Sequence, residues 1–173
     1  FGTGPVTFSA FLSPRKAIGG WVWGVGPVLQ LPTASNPTLG SSVWGAGPSA
    51  VVVKLDGPWV RGGLVNNVWS LGGHDGPTGK AAGGTRYNLM TMQPFLNYNF
   101  GEGWYVTSSP IITANWLTAG DKAWTVPVGG GAGRVVRIGG KLPLNLMLSG
   151  YWNAVRPEFG ATWQMRAQAT LIF

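Results

Sequence analysis

The chain has 173 residues, and its charged residues make up 10%, against roughly 25% in ordinary soluble domains. The absence of cysteine excludes a disulfide framework and any cysteine-ligated metal site, while a single histidine excludes a multi-histidine site. The net charge of +7 is carried by scattered Lys and Arg residues, and a nucleic-acid interface needs a denser basic stripe.

Hydrophobicity repeats with a period of two along the chain, and the longest aliphatic run, Ala50 to Val53, is far too short for a membrane-spanning helix. This pattern predicts an all-β chain of nine long strands. The predicted strands are approximately 5–13, 20–31, 42–55, 59–71, 87–100, 104–117, 124–138, 142–155 and 163–173.

Most predicted strands have one apolar and one polar face, most clearly 104–117 and 163–173, whereas 42–55, 59–71 and 124–138 are ambiguous. Alternation of this kind is typical of a sheet with two different environments. We expect the polar side chains to face inward and to line a lumen. They are Gln93, Asn97, Asn99, Thr107, Ser109, Thr113, Asn115, Arg134, Gln164, Arg166 and Gln168. With no acid expected within a strand, this lumen should be neutral to mildly positive.

Strand length and spacing indicate an antiparallel transmembrane β-barrel. A tilted strand of about 10 residues crosses a bilayer, and the connections alternate between short and long when counted back from the C-terminus. Bacterial outer-membrane barrels have short periplasmic turns and long extracellular loops. The alternation therefore predicts a bacterial outer-membrane location with a periplasmic C-terminus.

The tryptophans and the acids are distributed as in such a barrel. All five acids are expected in connections, and all ten tryptophans lie near a predicted strand end, as in an interfacial aromatic girdle. The predicted girdle consists of Trp21, Trp23, Trp44, Trp59, Trp69, Trp104, Trp116, Trp124, Trp152 and Trp163.

The odd strand count does not fit a complete bacterial barrel, which has an even number of strands. We expect residues 1–173 to form a single barrel domain that lacks one or more N-terminal strands. A complete barrel of ten or twelve strands would follow. If one strand has been divided wrongly, a barrel of eight is the alternative.

Five stretches of the sequence resemble a bacterial family of outer-membrane porin or transporter β-barrels, often mislabelled neuromedin U. They are WGVGPVLQLPTA (23–34), GPWVRGGLVNNVWS (57–70), QPFLNYN (93–99), GWYVTSSPIITANW (103–116) and WTVPVGGG (124–131). The resemblance covers nearly the whole chain. It implies further N-terminal strands and a barrel of about twelve, and it defines a location more closely than an activity.

The expected function is a channel for passive passage of small hydrophilic solutes, with no catalysis, cofactor or metal. The alternative is a closed structural barrel that binds partner proteins in an outer-membrane assembly. Membrane lipid is the expected surrounding, and the terminal Phe173 on an amphipathic strand resembles the signal read by barrel-assembly machinery. His74 and Asp75, in the longest connection, are most simply a solvated loop tip rather than half of a hydrolytic dyad.

Overall fold

A computed structural model of the chain describes residues 2, 4–35, 43–72, 86–118, 120–139, 142–158 and 160–171. The predicted all-β, antiparallel fold is confirmed, since ten strands of the described ranges form one sheet. They are β1 (Thr7–Ser9), β2 (Trp21–Gln30), β3 (Gly45–Asp56), β4 (Trp59–Ser70), β5 (Asn88–Gly101), β6 (Trp104–Ser108), β7 (Ile112–Asn115), β8 (Trp124–Ile138), β9 (Leu142–Val155) and β10 (Trp163–Leu171).

The described helical structure is one 3-10 turn, Gly120–Ala123. A search of the described residues found no helix of the length and apolarity that a membrane span requires.

The strands form a meander in which neighbours in the sequence pair with each other, in the order β1-β2-β3-β4-β5-β6-β8-β9-β10. Turns at 57–58, 102–103 and 139–141 lie at one end of the sheet, here named the short-turn end. The longer connections 31–44, 71–87, 116–123 and 156–162 join the strands at the other end, here named the long-connection end. Among the described residues, no backbone pairing joins the edge strands β1 and β10.

The single strand predicted over 104–117 is divided in two. β6 and β7 both lie between β5 and β8, and 109–111 separates them. Pro110 is at the centre of this gap, and proline has no N–H to donate to a ladder. The predicted count of nine strands is therefore corrected to ten, although the two short strands occupy one position in the sheet.

Two other predicted boundaries change. The predicted first strand, 5–13, is reduced to β1, followed by an isolated bridge between Leu12 and Val25. Asp56, expected in a connection, is the last residue of β3 and forms an ion pair with Arg61 at 3.2 Å.

The sheet has a concave face, defined here as the side that bears Gln93, Asn97, Thr107 and Arg166, and a convex face opposite to it. Directly paired residues of neighbouring strands share a face, so the register assigns every strand residue to one side. Six described glycines on the concave face lie so close to the backbone of a neighbouring segment that an added Cβ would overlap it. They are Gly26, Gly47, Gly62, Gly129, Gly131 and Gly133. Glycines at such positions let a sheet bend strongly.

A small apolar core closes part of the concave face at the long-connection end. Val28, Val43, Val68 and Tyr87 are buried against one another there. The Tyr87 hydroxyl donates a hydrogen bond to the carbonyl oxygen of Val43 at 3.1 Å. The cluster anchors the ends of β2, β4 and β5 where the longest connections begin.

Candidate functional site

The concave face contains a cavity of about 370 Å³ whose walls come from β4, β5, β6, β8, β9 and β10. Side chains from strands as far apart as β4 and β10 share this cavity because the sheet curls around it. The polar lining is mostly amide and hydroxyl groups, and the apolar part includes Val60, Phe95, Val135 and Met147.

Seven of the residues predicted to line a lumen are in this cavity: Gln93, Asn97, Asn99, Thr107, Ser109, Arg166 and Gln168. Thr113 and Asn115 face a second cavity of about 450 Å³ at the long-connection end, together with Glu158. Gln164 pairs with Tyr151 in the register and its amide donates to Asn153 Oδ1 at 2.8 Å.

Arg134 does not join this group, which corrects its expected position. It pairs with Trp104 on the convex face, and its guanidinium carbon lies 4.9 Å from the centroid of that ring. Glycines occupy 129–131 and 133, so the local sequence does not indicate which side chains of the strand lie on which face. Only the pairing of β8 with β6 determines which way Arg134 points.

Some of the polar groups in the cavity are bonded to the protein and others are not. The Asn99 amide donates to the Pro58 carbonyl at 3.0 Å, and the Gln168 amide donates to Thr170 Oγ1 at 3.0 Å. In the described part of the chain, Gln93 and Asn97 have no hydrogen-bond partner. Their amides are therefore available to water or to a solute.

Arg166 is the cation in the wall of this cavity. Its guanidinium carbon lies 5.9 Å from the Tyr151 ring centroid, and within the described ranges no carboxylate pairs with it. The backbone N–H of Ser109 donates to the Tyr151 hydroxyl at 3.1 Å, which holds the tyrosine against the wall. An uncompensated guanidinium among neutral amides makes the cavity attractive to anions.

Two cavity residues, Tyr105 and Asn145, were not among the predicted lumen residues. The Tyr105 hydroxyl donates to Asn145 Oδ1 at 2.8 Å across β8. Both follow the polar phase of their strands, so the alternation could have identified them. Tyr105 pairs with Gly133, and its ring fills the space that a side chain there would take.

The concave face is polar only in its C-terminal half. On β2 to β4 the same face carries mainly valine, leucine and glycine, including Val22, Val51, Val53 and Leu64. Its polar exceptions include Ser49, whose hydroxyl is buried without a partner in the described residues. The concave face is therefore mainly apolar on β2 to β4 and mainly polar on the later strands.

All ten tryptophans lie on the convex face, and nine of them are more than 40% exposed. They form two sets near opposite ends of the sheet. Trp21, Trp23, Trp59 and Trp104 lie toward the short-turn end, and Trp44, Trp69, Trp116, Trp124, Trp152 and Trp163 lie toward the long-connection end. Aliphatic side chains such as Val65, Leu96 and Leu148 fill the zone between them and are also exposed.

The indole of Trp116 illustrates how this face satisfies its polar groups. Its Nε1–H donates to Asn67 Oδ1 at 2.8 Å, and the Asn67 amide donates to Asn88 Oδ1 at 2.8 Å. The ring also packs edge-on against Trp124, with centroids 5.6 Å apart. The two asparagines pair with convex-face neighbours at the long-connection end, away from the aliphatic zone.

Comparisons of this chain with protein-family models, curated proteins and solved structures gave no match. His74, Asp75 and Phe173, which the sequence analysis singled out, lie outside the described residues. No group of three His, Cys, Asp or Glu side chains that could hold a metal ion occurs in the described ranges.

Proposed function

We propose that this chain is part of a bacterial outer-membrane β-barrel through which small hydrophilic solutes pass passively, with a mild preference for anions. The polar cavity on the concave face carries the proposal: neutral amides line it with the Arg166 guanidinium, which has no carboxylate partner in the described residues, behind a convex face that is mainly apolar. The proposal needs no catalytic group and no cofactor.

The two sets of tryptophans support a bilayer around the convex face. Trp104 and Trp116 are separated by twelve residues, which corresponds to ~30 Å along the normal for strands rising ~3.3 Å per residue at ~40° tilt. This is close to an apolar band of about 25 Å plus its aromatic girdles. In this arrangement the short-turn end is periplasmic, as is the C-terminus of the chain.

No strand of the described residues pairs with the outer edges of β1 and β10, and this bears on how the sheet is closed. Closed barrels have no free edges, because an unpaired strand in lipid leaves its N–H and C=O groups unsatisfied. We propose that further strands close the sheet into a barrel of about twelve, as the sequence resemblance implies. Assembly machinery that recognises the C-terminal strand would complete the insertion.

The second candidate is a closed structural barrel that binds partner proteins. Hydrogen-bonded interior pairs such as Tyr105 with Asn145 and Gln164 with Asn153 favour it, as does the apolar cluster around Val28. Side-chain pairs of this kind fill the interior of small barrels. The unbonded amides of Gln93 and Asn97 favour the channel instead.

Single-channel conductance in planar bilayers under a salt gradient tests the proposal. We expect discrete conductance steps with a mild anion preference, which Arg166→Gln reduces toward no preference because it removes the positive charge from the cavity. Arg134→Gln is the matched control: it removes the same charge from the convex face and should leave the selectivity unchanged. A correctly inserted but silent barrel would overturn the channel and favour the closed barrel.

A further inference from the structure

A row of three residues crosses the convex face near the short-turn end. Trp21 of β2 pairs with Lys54 of β3, which pairs with Arg61 of β4. The Lys54 ammonium lies 5.4 Å from the Trp21 ring centroid, and Arg61 bonds Asp56 at 3.2 Å. All these groups belong to a face that is mainly apolar between its two sets of tryptophans.

Two cations placed directly opposite each other on neighbouring strands repel, which destabilises the pair. Asp56 compensates only one of the two charges. Cations on a lipid-facing surface are tolerated near the interface, where their cost is far smaller than at the bilayer midplane. Lys54 and Arg61 therefore present one positive charge more than Asp56 compensates, and a further anion would compensate it.

The next row of the same strands forms an apolar groove. Trp23, Val52, Gly63 and Pro94 are consecutive partners across β2 to β5, and they line a groove of about 400 Å³ together with Val25, Val65 and Met92. Gly63 has no side chain to fill the floor. A Cβ added there would make only ordinary contacts, the nearest at 3.6 Å to Pro94 Cα.

We propose that this row and groove bind one anionic phospholipid. Its phosphate lies between Lys54 and Arg61 at the level of the Trp21 indole, and an acyl chain lies along the groove over Gly63. Arginine presents paired N–H donors that match phosphate oxygens, and tryptophan favours the headgroup level. The inference rests on the proposed membrane insertion, in which the short-turn end faces the periplasmic leaflet.

Native mass spectrometry of the full chain, folded in neutral detergent, measures the site with added phosphatidylglycerol or phosphatidylcholine. We expect one phosphatidylglycerol to be retained in preference to phosphatidylcholine. Lys54→Gln with Arg61→Gln should weaken its binding by about fivefold per cation removed, the effect of one basic residue at an anionic surface. Asp56→Asn should strengthen it, because it removes the competing carboxylate.

Two variants separate the two parts of the site. Gly63→Leu fills the groove and should weaken both lipids equally, since it leaves the cations in place. Arg137→Gln is the matched control: Arg137 lies at the short-turn end but shares the concave face with Val135, two residues before it. Its loss should not change lipid preference.

The outcomes distinguish this inference from the proposed function. Insertion into phosphatidylcholine vesicles, measured in parallel by protease protection, tests the barrel alone. Insertion without any preference for phosphatidylglycerol overturns the lipid site and leaves the barrel standing. Failure of the full-length protein, with the strands that close the sheet, to insert overturns both. Displacement of the lipid by excess glycerophosphoglycerol, which has the headgroup but no chains, would also overturn a lipid site.

Discussion

Gly62 and Gly63 are adjacent in β4 and face opposite sides of the sheet, so one substitution made at each position tests the curvature of the fold. Gly62→Ala places a methyl group on the concave face, and Gly63→Ala places the same group on the convex face. The two variants have the same composition. Any difference in their stability therefore reports the difference between the two faces.

The structure gives the two substitutions opposite signs. A Cβ at Gly62 would overlap the carbonyl oxygen of Val52 and lie 2.7 Å from Phe95 Cζ, so β3 or the ring must move. Overpacking of this kind costs about 1–3 kcal/mol. A Cβ at Gly63 would lie 3.6 and 3.7 Å from its nearest atoms. Replacing glycine with alanine within a strand stabilises the fold by about 0.5–1 kcal/mol, because alanine loses less conformational entropy on folding. Because this entropy gain applies to both substitutions, it cancels in the comparison, and we expect Gly62→Ala to be less stable than Gly63→Ala by about 1–3 kcal/mol.

The free energy of unfolding in urea, measured on the chain folded in lipid vesicles or detergent, gives this difference. Coincident transitions by tryptophan fluorescence and by far-ultraviolet circular dichroism check that unfolding is two-state. Equal stabilities of the two variants would refute the assignment of Gly62 to a tightly bent concave face. A less stable Gly63→Ala variant would refute the register of β4 itself.

Tyr87→Phe should lower the free energy of unfolding by about 1 kcal/mol, because it removes the buried hydrogen bond to the Val43 carbonyl; urea titration measures this. Tyr98→Phe is its control, since Tyr98 makes ring contacts that phenylalanine keeps, and a loss of similar size there would contradict the assignment. Asn67→Ala should cost about 1–2 kcal/mol, because it removes two hydrogen bonds at once, from the Trp116 indole and to Asn88. Unchanged stability in the same titration would show that these bonds exchange freely with solvent.

Most strands of this protein could be predicted from the sequence because the two-residue period is a local property of an extended chain. The alternation in 163–173 correctly grouped Gln164, Arg166 and Gln168 on one side, and the register of β10 with β9 agrees. The same local rule grouped Thr107 and Ser109, which lie in one cavity with Gln168 although they are far apart in the sequence.

The two-residue period cannot be recognised where glycines carry no side chain or where proline interrupts the hydrogen-bond ladder between strands. The glycines before Arg134 did not indicate which face its side chain takes, and its pairing with Trp104 places it on the convex face. Pro110 divides in two a strand that the alternation alone predicted to be continuous. The register shift between β8 and β9 lies between Val126 and Pro127, just before the glycine run 129–131.

The sequence by itself determined that the chain is all-β, where most strands begin and end, and that apolar and polar side chains alternate along them. Only the tertiary structure decided how the strands align and how strongly the sheet bends. Lys54 becomes a neighbour of both Trp21 and Arg61 through the pairing of three strands. Gly62 becomes indispensable only because Val52 and Phe95 close over it. Register and curvature depend on contacts between distant segments, and a local pattern does not encode them.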